Sequence, residues 1–320
     1  MNHKLMYLLH FLITLGALQG SFAEAGADRV TKPTSVTEQG PCEQSLKVQG
    51  WLSAYPALPE YYRKSLSLQT PHSDHPTLSV IVPAYREAQR IGVSIAQIKA
   101  FFDTFPFNVE ILVRIEKSPD NTVEVAREAI GGDPRFVLSA HNVQRGKGYA
   151  VRQGMLAARG DYVLFMDTDL STPLPEIYHF LSLVAEGSGR DVMIGDRYDS
   201  QLSTVADKAI HRRAMSAIFQ SAIGTVLRTY GLNGIHDTQC GFKMFTRHAV
   251  DELFPRATVN GFAFDIELLL MAARLGLPIQ QIPVQWKDDA RSTVNPFIDP
   301  IKMLWDVQKM NRQVRRSLGG

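Results

Sequence analysis

Two hydrophobic patterns alternate along residues 78–195. Short runs of apolar and β-branched residues, typical of buried strands, occur at residues 78–82, 109–113, 136–138, 162–166 and 191–195. The intervening segments have helically spaced apolar residues or helix-capping residues, and they lie at residues 87–102, 122–130, 147–158 and 172–187. This order predicts an α/β fold in which helices flank a mostly parallel, doubly wound sheet.

The N-terminus has a different pattern. Lys4 precedes an apolar stretch at residues 5–18, and small residues follow near Ala23. These features are typical of a secretory signal peptide, but residues 5–23 also nearly reach the length of a membrane span. Residues 1–23 are therefore predicted to be a signal peptide or a membrane anchor. The protein is expected to be membrane-associated through this segment, or exported if the segment is cleaved.

Residues 24–77 are predicted to be a linker because they are rich in Pro, Ser, Thr and Gln. The linker also has an aromatic patch of Trp51, Tyr55, Tyr61 and Tyr62, and we expect it to pack partly on the following domain. The main domain is predicted at residues 78–313, followed by a basic tail at residues 314–320.

The composition limits the possible size of the core and the possible partners, but it does not indicate a function. The chain has 320 residues, 45% of them hydrophobic, which is enough for one large core or two modest ones. A net charge of +2 gives no reason to expect a nucleic-acid partner. The two cysteines, Cys42 and Cys240, are far apart and have neither disulfide-framework nor metal-site spacing.

Two carboxylates end the apolar run at residues 162–166. Asp167 and Asp169 are two positions apart, so in an extended chain both side chains point to the same side. The carboxyl ends of strands in such sheets are where ligands bind, and paired carboxylates suit a divalent cation that also holds a diphosphate. The spacing therefore suggests a nucleotide-sugar site. The alternative is a solvated strand end without a metal.

Five segments, taken in order, resemble a known family: residues 78–87, 145–148, 167–173, 237–243 and 260–267. Together they are similar to the inverting family 2 glycosyltransferases of GT-A, Rossmann-like fold. The resemblance is strongest to the dolichyl-phosphate β-glucosyltransferases and their bacterial polyprenyl-phosphate relatives. It covers residues 78–312 and implies that Asp169 holds Mg²⁺ or Mn²⁺, with Asp167 close to the donor ribose and the metal.

The resemblance also assigns the turn after the first strand. Pro83, Tyr85 and Glu87 would bind the base and ribose of the donor, whereas the alternative is a simple strand-to-helix turn with Glu87 at the helix start. Arg86 stands where the family usually has asparagine.

The segment after the second strand departs from the family. Residues 115–118 read Ile-Glu-Lys-Ser where relatives have Asp-Asp-Gly-Ser. The acidic group that reads a uracil imide is therefore either lost or moved to Glu116, and Lys117 is positioned to meet a phosphate instead. The alternative is a turn and helix cap at residues 118–122.

A phosphate site is predicted at residues 145–148. Glycines permit close backbone approach, and a helix N-terminus with Arg145 and Lys147 attracts a diphosphate. A basic solvated loop is the alternative.

The remaining family positions concern the acceptor. Arg197 stands where the family places an arginine for pyrophosphate or acceptor phosphate, with a surface ion pair to Asp196 or Asp199 as the alternative. Asp237 is the family's usual candidate base, although an ionised acceptor phosphate needs only to be oriented, and Lys243 would pair with that phosphate.

Two further segments have less specific readings. Cys240 is expected to be a buried thiol without chemistry, and Asp265 and Glu267 to begin a helix rather than bind a second metal. An apolar stripe at residues 301–314, with basic residues elsewhere on the helix, predicts either a membrane-surface helix or a helix packed on its own domain.

The resemblance implies a hexosyltransferase that moves a hexose, with glucose favoured, from a nucleotide-diphosphate sugar to a polyprenyl or dolichyl phosphate with inversion. UDP-glucose is the favoured donor, and the membrane surface is an expected partner. The alternatives are transfer of mannose, a saccharide hydroxyl acceptor with Asp237 as an essential base, or an exported glycan-binding domain without catalysis.

Overall fold

The computed structural model describes residues 57–68, 75–187, 189–198 and 223–287. The predicted signal or anchor at residues 1–23, the helix at residues 301–314 and the basic tail at residues 314–320 lie outside these ranges. None of the helices within the described ranges combines the length and apolar character needed to cross a bilayer.

In the described part of the chain, seven strands form one sheet with the order β3-β2-β1-β4-β6-β5-β7. The strands are β1 Leu78–Ala84, β2 Val109–Ile115, β3 Phe136–Ala140, β4 Tyr162–Met166, β5 Val192–Asp196, β6 Phe242–Thr246 and β7 Ile279–Pro283. Neighbours pair in parallel except that β6 is antiparallel to both β4 and β5. The predicted mostly parallel sheet is confirmed, whereas the sequence pattern did not predict β6 and β7.

Helices cover both faces of the sheet. Those with both ends inside the described ranges are α1 Leu58–Ser65, α2 Ile91–Phe102, α3 Thr122–Ile130, α4 Lys147–Ala157, α5 Glu176–Ala185, α6 Arg247–Leu253 and α7 Phe264–Leu275. One core cluster joins the sheet to α1, α2, α3 and α5, and a second joins its other face to α4, α6 and α7. Residues facing away from each other along a strand, such as Val80 and Ile81, enter different cores. This double burial explains why the strands read as continuous apolar runs.

Several boundaries differ from the sequence prediction. The first strand was predicted to stop before Pro83, but it continues to Ala84. Proline is tolerated there because the pairing between β1 and β4 ends at Ile81, so no hydrogen bond of that pairing requires an N–H at Pro83. The helix predicted from residue 87 begins at Ile91, since residues 85–90 form a turn. The helix predicted from residue 172 begins at Glu176, directly after Pro175.

Part of the predicted linker is helical. Helix α1 packs on α5, where Tyr61 stacks on His179 with ring centroids 4.2 Å apart and Tyr62 meets Tyr178 edge-on at 5.3 Å. Leu58 of α1 is fully buried in the first core cluster. The N-terminal extension therefore contributes to the domain core on this face.

Topology brings several loops to one edge of the sheet. The strands β1, β2, β4 and β5 run in the same direction, so their carboxyl ends lie at that edge. Because β6 runs the opposite way, the segment that precedes it, residues 237–241, lies there too. Polar residues far apart in sequence are thereby placed around one cleft.

Candidate active site

A cavity of about 320 Å³ lies at this edge of the sheet. It brings together all seven residues predicted to bind the nucleotide sugar or the metal. Its lining consists of Pro83, Ala84, Tyr85, Arg86, Glu87, Arg90, Glu116, Gln144, Gly146, Lys147, Ala150, Asp167, Thr168, Asp169, Gly261 and Phe262.

The paired carboxylates lie on the floor of this cavity. The backbone N–H of Asp167 donates to the carbonyl of Gly241 (3.0 Å), and the Asp169 carboxylate accepts from the N–H of Ser171 (3.0 Å). Burial and the neighbouring charge of Asp167 raise the pKa of Asp169. Leu170 turns the chain sharply after the pair, with a φ of 54°. The pair is a region of concentrated negative charge that a cation would stabilise.

The donor atoms fit Mg²⁺ or Mn²⁺, since both cations prefer carboxylate oxygens. Among the residues that the structure describes, no group of three or more His, Cys, Asp or Glu side chains forms a complete metal site. Within these residues, Asp167 and Asp169 are the carboxylates placed to hold a cation beside a bound diphosphate.

Gly241 allows the Asp167 carboxylate to occupy its position. A Cβ atom at residue 241 would lie 1.9 Å from Oδ2 of Asp167. The residue belongs to the 237–243 motif, but its role in accommodating a side chain from another strand becomes visible only in the fold.

The N-terminus of α4 forms another wall of the cavity. A Cβ at Gly146 would lie 2.5 Å from the Asn260 carbonyl oxygen, and one at Gly148 would lie 2.6 Å from that of Val259, so the glycines permit close packing of two loops. Lys147 Nζ is 2.6 Å from Oδ1 of Asp167. Burial opposes the charged form of Lys147, but the charges of Asp167 and Asp265 outweigh it and raise the lysine pKa.

Glu116 lies at a different part of the cavity and is 3% exposed. Its Oε2 accepts from the backbone N–H groups of Arg145 and Gly146. Its Oε1 is buried and has no hydrogen-bond partner within the described ranges. A buried acceptor of this kind is costly unless a ligand donates to it.

Glu87 and Arg90 form a buried ion pair beside the carboxylates, with Arg90 Nη2 2.7 Å from Glu87 Oε1. Burial raises the pKa of Glu87, and the charges of Asp169 and Asp167 add to this effect. Arg90 lines the cavity and was not predicted, although its spacing three residues after Glu87 is a signal for such a pair.

A second, smaller cavity shares Asp167 and Asp169 with the first and otherwise has a different lining. It is bounded by Met166, Asp167, Asp169, Ser171, Thr172, Arg197, Gly241, Phe242 and Trp286. Trp286 follows β7, and the sequence contained no signal that it would reach this place.

Arg197 is held here by Asp237. Of the two surface partners considered from sequence, Asp196 accepts from the backbone N–H of Tyr198, and Asp199 lies outside the described residues. Its guanidinium donates through Nε to Oδ2 of Asp237 (2.7 Å) and through Nη2 to Oδ1 (2.8 Å), while its backbone N–H also reaches Oδ2 (3.1 Å). Burial opposes ionisation of Asp237, but Arg197 lowers the pKa of this carboxyl below its usual value. This geometry favours orientation of Arg197 over proton abstraction by Asp237.

Lys243 is buried between protein groups. Its side chain is 1% exposed, and Nζ contacts the Cys240 carbonyl oxygen and Oδ1 of Asp265, both at 2.6 Å. These buried partners give no support to a contact between Lys243 and an acceptor phosphate, which remains a prediction.

The structure confirms the expected burial of Cys240 and the expected helix start at Asp265 and Glu267. Cys240 is fully buried, and burial raises the pKa of its thiol to about 12. Asp265 and Glu267 lie in the first turn of α7, where Glu267 accepts from the backbone N–H groups of Thr258 and Val259, both at 2.9 Å.

These features agree with comparisons to known proteins. Residues 79–254, more than half of the chain, match the family described as Glycosyl transferase family 2. The chain belongs to this family of glycosyltransferases, which confirms the resemblance found in its motifs.

Its relatives are more specific. It is 36% identical over 239 residues to a dolichyl-phosphate beta-glucosyltransferase of Drosophila melanogaster, which covers 71% of this chain and 72% of that protein. The enzyme of the same name from Saccharomyces cerevisiae is 32% identical over 246 residues, which cover 72% of this chain and 72% of that protein. The enzyme of the same name from Homo sapiens is 30% identical over 244 residues, which cover 72% of this chain and 74% of that protein.

Solved structures support the GT-A fold. Mannosyl-3-phosphoglycerate synthase from Rubrobacter xylanophilus has a TM-score of 0.58 at 19% identity, with coverage of 80% of this chain and 78% of that one. Glucosyl-3-phosphoglycerate synthase from Mycobacterium tuberculosis, solved with Mn²⁺, UDP-glucose and phosphoglyceric acid, has a TM-score of 0.55 at 21% identity, with 82% of both chains covered.

Proposed function

We propose that this chain transfers glucose from UDP-glucose to a dolichyl or other polyprenyl phosphate, with inversion at the anomeric carbon. The observation that carries the proposal is the joining of two cavities at Asp167 and Asp169. One cavity suits a nucleoside diphosphate and the other contains an oriented arginine. The names of the curated relatives support glucose and dolichyl phosphate as donor sugar and acceptor.

The base is read by Glu116. Its buried Oε1 is an acceptor without a hydrogen-bond partner among the described residues, so it complements a base that presents a ring N–H donor. Uracil N3–H and guanine N1–H are such donors, whereas cytosine N3 and adenine N1 are acceptors. UDP is favoured over GDP because the mycobacterial structural neighbour, also a glucosyl-transferring enzyme by name, is solved with UDP-glucose.

The diphosphate binds between the carboxylates and the start of α4. Asp167 and Asp169 would hold Mg²⁺ or Mn²⁺, which when bound neutralises the diphosphate leaving group. Lys147 is within reach of the same place, since its amine already contacts Asp167. Gly146 lines the same cavity at the start of α4, where a helix N-terminus favours an anionic group.

The acceptor phosphate binds in the second cavity beside Arg197. Its oxygen is already ionised near neutral pH, so it attacks the anomeric carbon without a general base. The new bond forms as the bond between that carbon and the UDP oxygen breaks, and UDP leaves with the electron pair. Asp237 keeps the guanidinium in place through two hydrogen bonds.

We also propose that the chain is membrane-associated through residues 1–23, because its acceptor is a lipid and residues 5–18 are apolar. Mass spectrometry of the mature N-terminus tests this part. An intact segment supports anchoring, and a terminus near Ala23 contradicts it.

Asp169→Asn tests the reaction. The exchange is nearly isosteric and relieves repulsion from Asp167, so the fold should persist while metal-dependent UDP-glucose binding and transfer fall by at least about 100-fold. Calorimetry with and without Mn²⁺ measures binding, and labelled glucose in an organic extract measures transfer to polyprenyl phosphate.

Asp161→Asn is the matched control, since Asp161 precedes the opposite end of β4. It should leave binding and transfer unchanged. Metal-dependent binding by the Asp169 variant at the wild-type level would overturn the metal assignment. Label found only on an oligosaccharide acceptor would overturn the lipid-phosphate assignment.

A further inference from the structure

The segment after β7 crosses the edge of the sheet at the second cavity. The backbone N–H of Val284 donates to the Asp196 carbonyl at the end of β5 (3.0 Å), and that of Lys287 donates to the Ser171 carbonyl (2.8 Å). These bonds hold the segment at both ends, and Trp286 lies between them. The position of the indole is therefore set by the sheet edge.

The Trp286 ring lies against Arg197, with the guanidinium carbon 5.5 Å from the ring centroid. The indole is half-buried and lines the cavity together with Asp167, Asp169 and Arg197. The cavity therefore contains an aromatic ring in addition to three charged side chains. Arg197 alone suffices to attract a phosphate, so the ring is not needed for binding the charge. The ring provides an apolar surface directly beside the phosphate position.

We propose that Trp286 is a specificity-determining residue that packs against the first isoprene unit of the acceptor while Arg197 holds the phosphate. This inference rests on the proposed function. A prenyl phosphate carries apolar carbon next to the phosphate ester, and that carbon gains from leaving water against an aromatic ring. A soluble phosphorylated acid carries a carboxylate or hydroxyl there, which loses hydration against the same ring.

Trp286→Ala and Trp286→Phe test this with farnesyl phosphate as the acceptor and inorganic phosphate as a competing inhibitor. Loss of the ring in Trp286→Ala should raise the KM for farnesyl phosphate about tenfold, whereas Trp286→Phe should have a KM close to that of the wild type. The KM for UDP-glucose and the inhibition constant of phosphate should stay within about twofold, because neither ligand uses the ring.

Tyr198→Ala is the matched control. Tyr198 also lies beside Arg197, at 5.7 Å, but it does not line the second cavity. Its removal should leave the ratio of the KM for farnesyl phosphate to the inhibition constant of phosphate unchanged.

The possible results separate the explanations. A parallel rise in the phosphate inhibition constant would mean that Trp286 acts only through Arg197, and a rise in the UDP-glucose KM would make it a donor residue. Either result, or no change at all, overturns the inference while leaving the proposed function intact. Failure of the wild-type protein to glucosylate farnesyl and dolichyl phosphate would instead overturn the proposed function, and the role of Trp286 with it.

Discussion

Replacing Gly241 by alanine should disable the carboxylate pair by a purely steric route. The added Cβ would lie 1.9 Å from Oδ2 of Asp167, whereas real Cβ contacts essentially never fall below 3.0 Å. Residue 241 adjoins β6 and Asp167 follows β4, and the backbone bond from Asp167 N–H to Gly241 O ties the two segments together. The carboxylate must therefore rotate or shift by about 1 Å.

A shift of this size is large for metal and substrate positioning. Misplacement of a reacting or binding group by about 1 Å costs on the order of 100-fold in rate. The free energy of unfolding should fall by only about 1–3 kcal/mol, the usual range for an overpacked site. We therefore expect Gly241→Ala to remain folded and to lose metal-dependent UDP-glucose binding and glucosyl transfer together.

Calorimetric titration with UDP-glucose and Mn²⁺ measures the first loss, and urea denaturation measures the stability. Gly234→Ala is the control, since a Cβ there meets no atom within 4 Å. It should retain both binding and stability. A folded Gly241→Ala protein that binds Mn²⁺ and UDP-glucose with wild-type affinity would refute the reasoning, because the Asp167 carboxylate would not then be needed in its observed position.

Three further predictions concern other parts of the site. Asp237→Asn should cost about 3 kcal/mol at pH 7 by removing the buried partner of Arg197. The pKa of Asp237 in the folded protein lies below its ordinary value of 3.8. The ionised carboxylate therefore contributes to the free energy of unfolding above pH 3.8, and this contribution is lost as the pH falls further. Urea denaturation should show a smaller loss of stability below about pH 4 in the variant than in the wild type. Glu116→Gln should weaken UDP binding about 10- to 100-fold but leave CDP binding unchanged, because the glutamine amide can donate to cytosine N3. Calorimetry measures both affinities, and equal losses for UDP and CDP would contradict recognition of the base by Glu116. Arg86→Asn should raise the free energy of unfolding by about 0.5 kcal/mol, because Arg86 has a φ of 58° and asparagine tolerates this conformation better; a lower stability in urea would show that arginine side-chain contacts outweigh the backbone strain.

Much of the fold was predictable because its signals are local. Four of the five strands found from sequence, β1, β2, β4 and β5, are buried and read as apolar runs because helices cover both faces of the sheet, whereas β3 is a partly exposed edge strand. Strands β6 and β7 were missed because β6 contains Lys243 and β7 contains two glutamines, and neither reads as an apolar run. Their strand identity depends on pairing with β4 and β5.

The donor side of the site was also predictable, because Asp167 and Asp169 share a side through the two-residue period of a strand and parallel strands end at one edge. On the acceptor side the resemblance pointed to Arg197 and Asp237, but tertiary structure alone decided that the two side chains pair. Arg197 and Asp237 are 40 residues apart, and they meet because antiparallel β6 brings the start of its strand to the end of β5.

Strand β6 also places Lys243 against Asp265, and Gly241, just before this strand, leaves room for the Asp167 carboxylate. Periodicity along the chain determines which residues a strand presents to each face. Which other side chains they meet depends on strand order and direction, and these are decided by packing between segments distant in sequence.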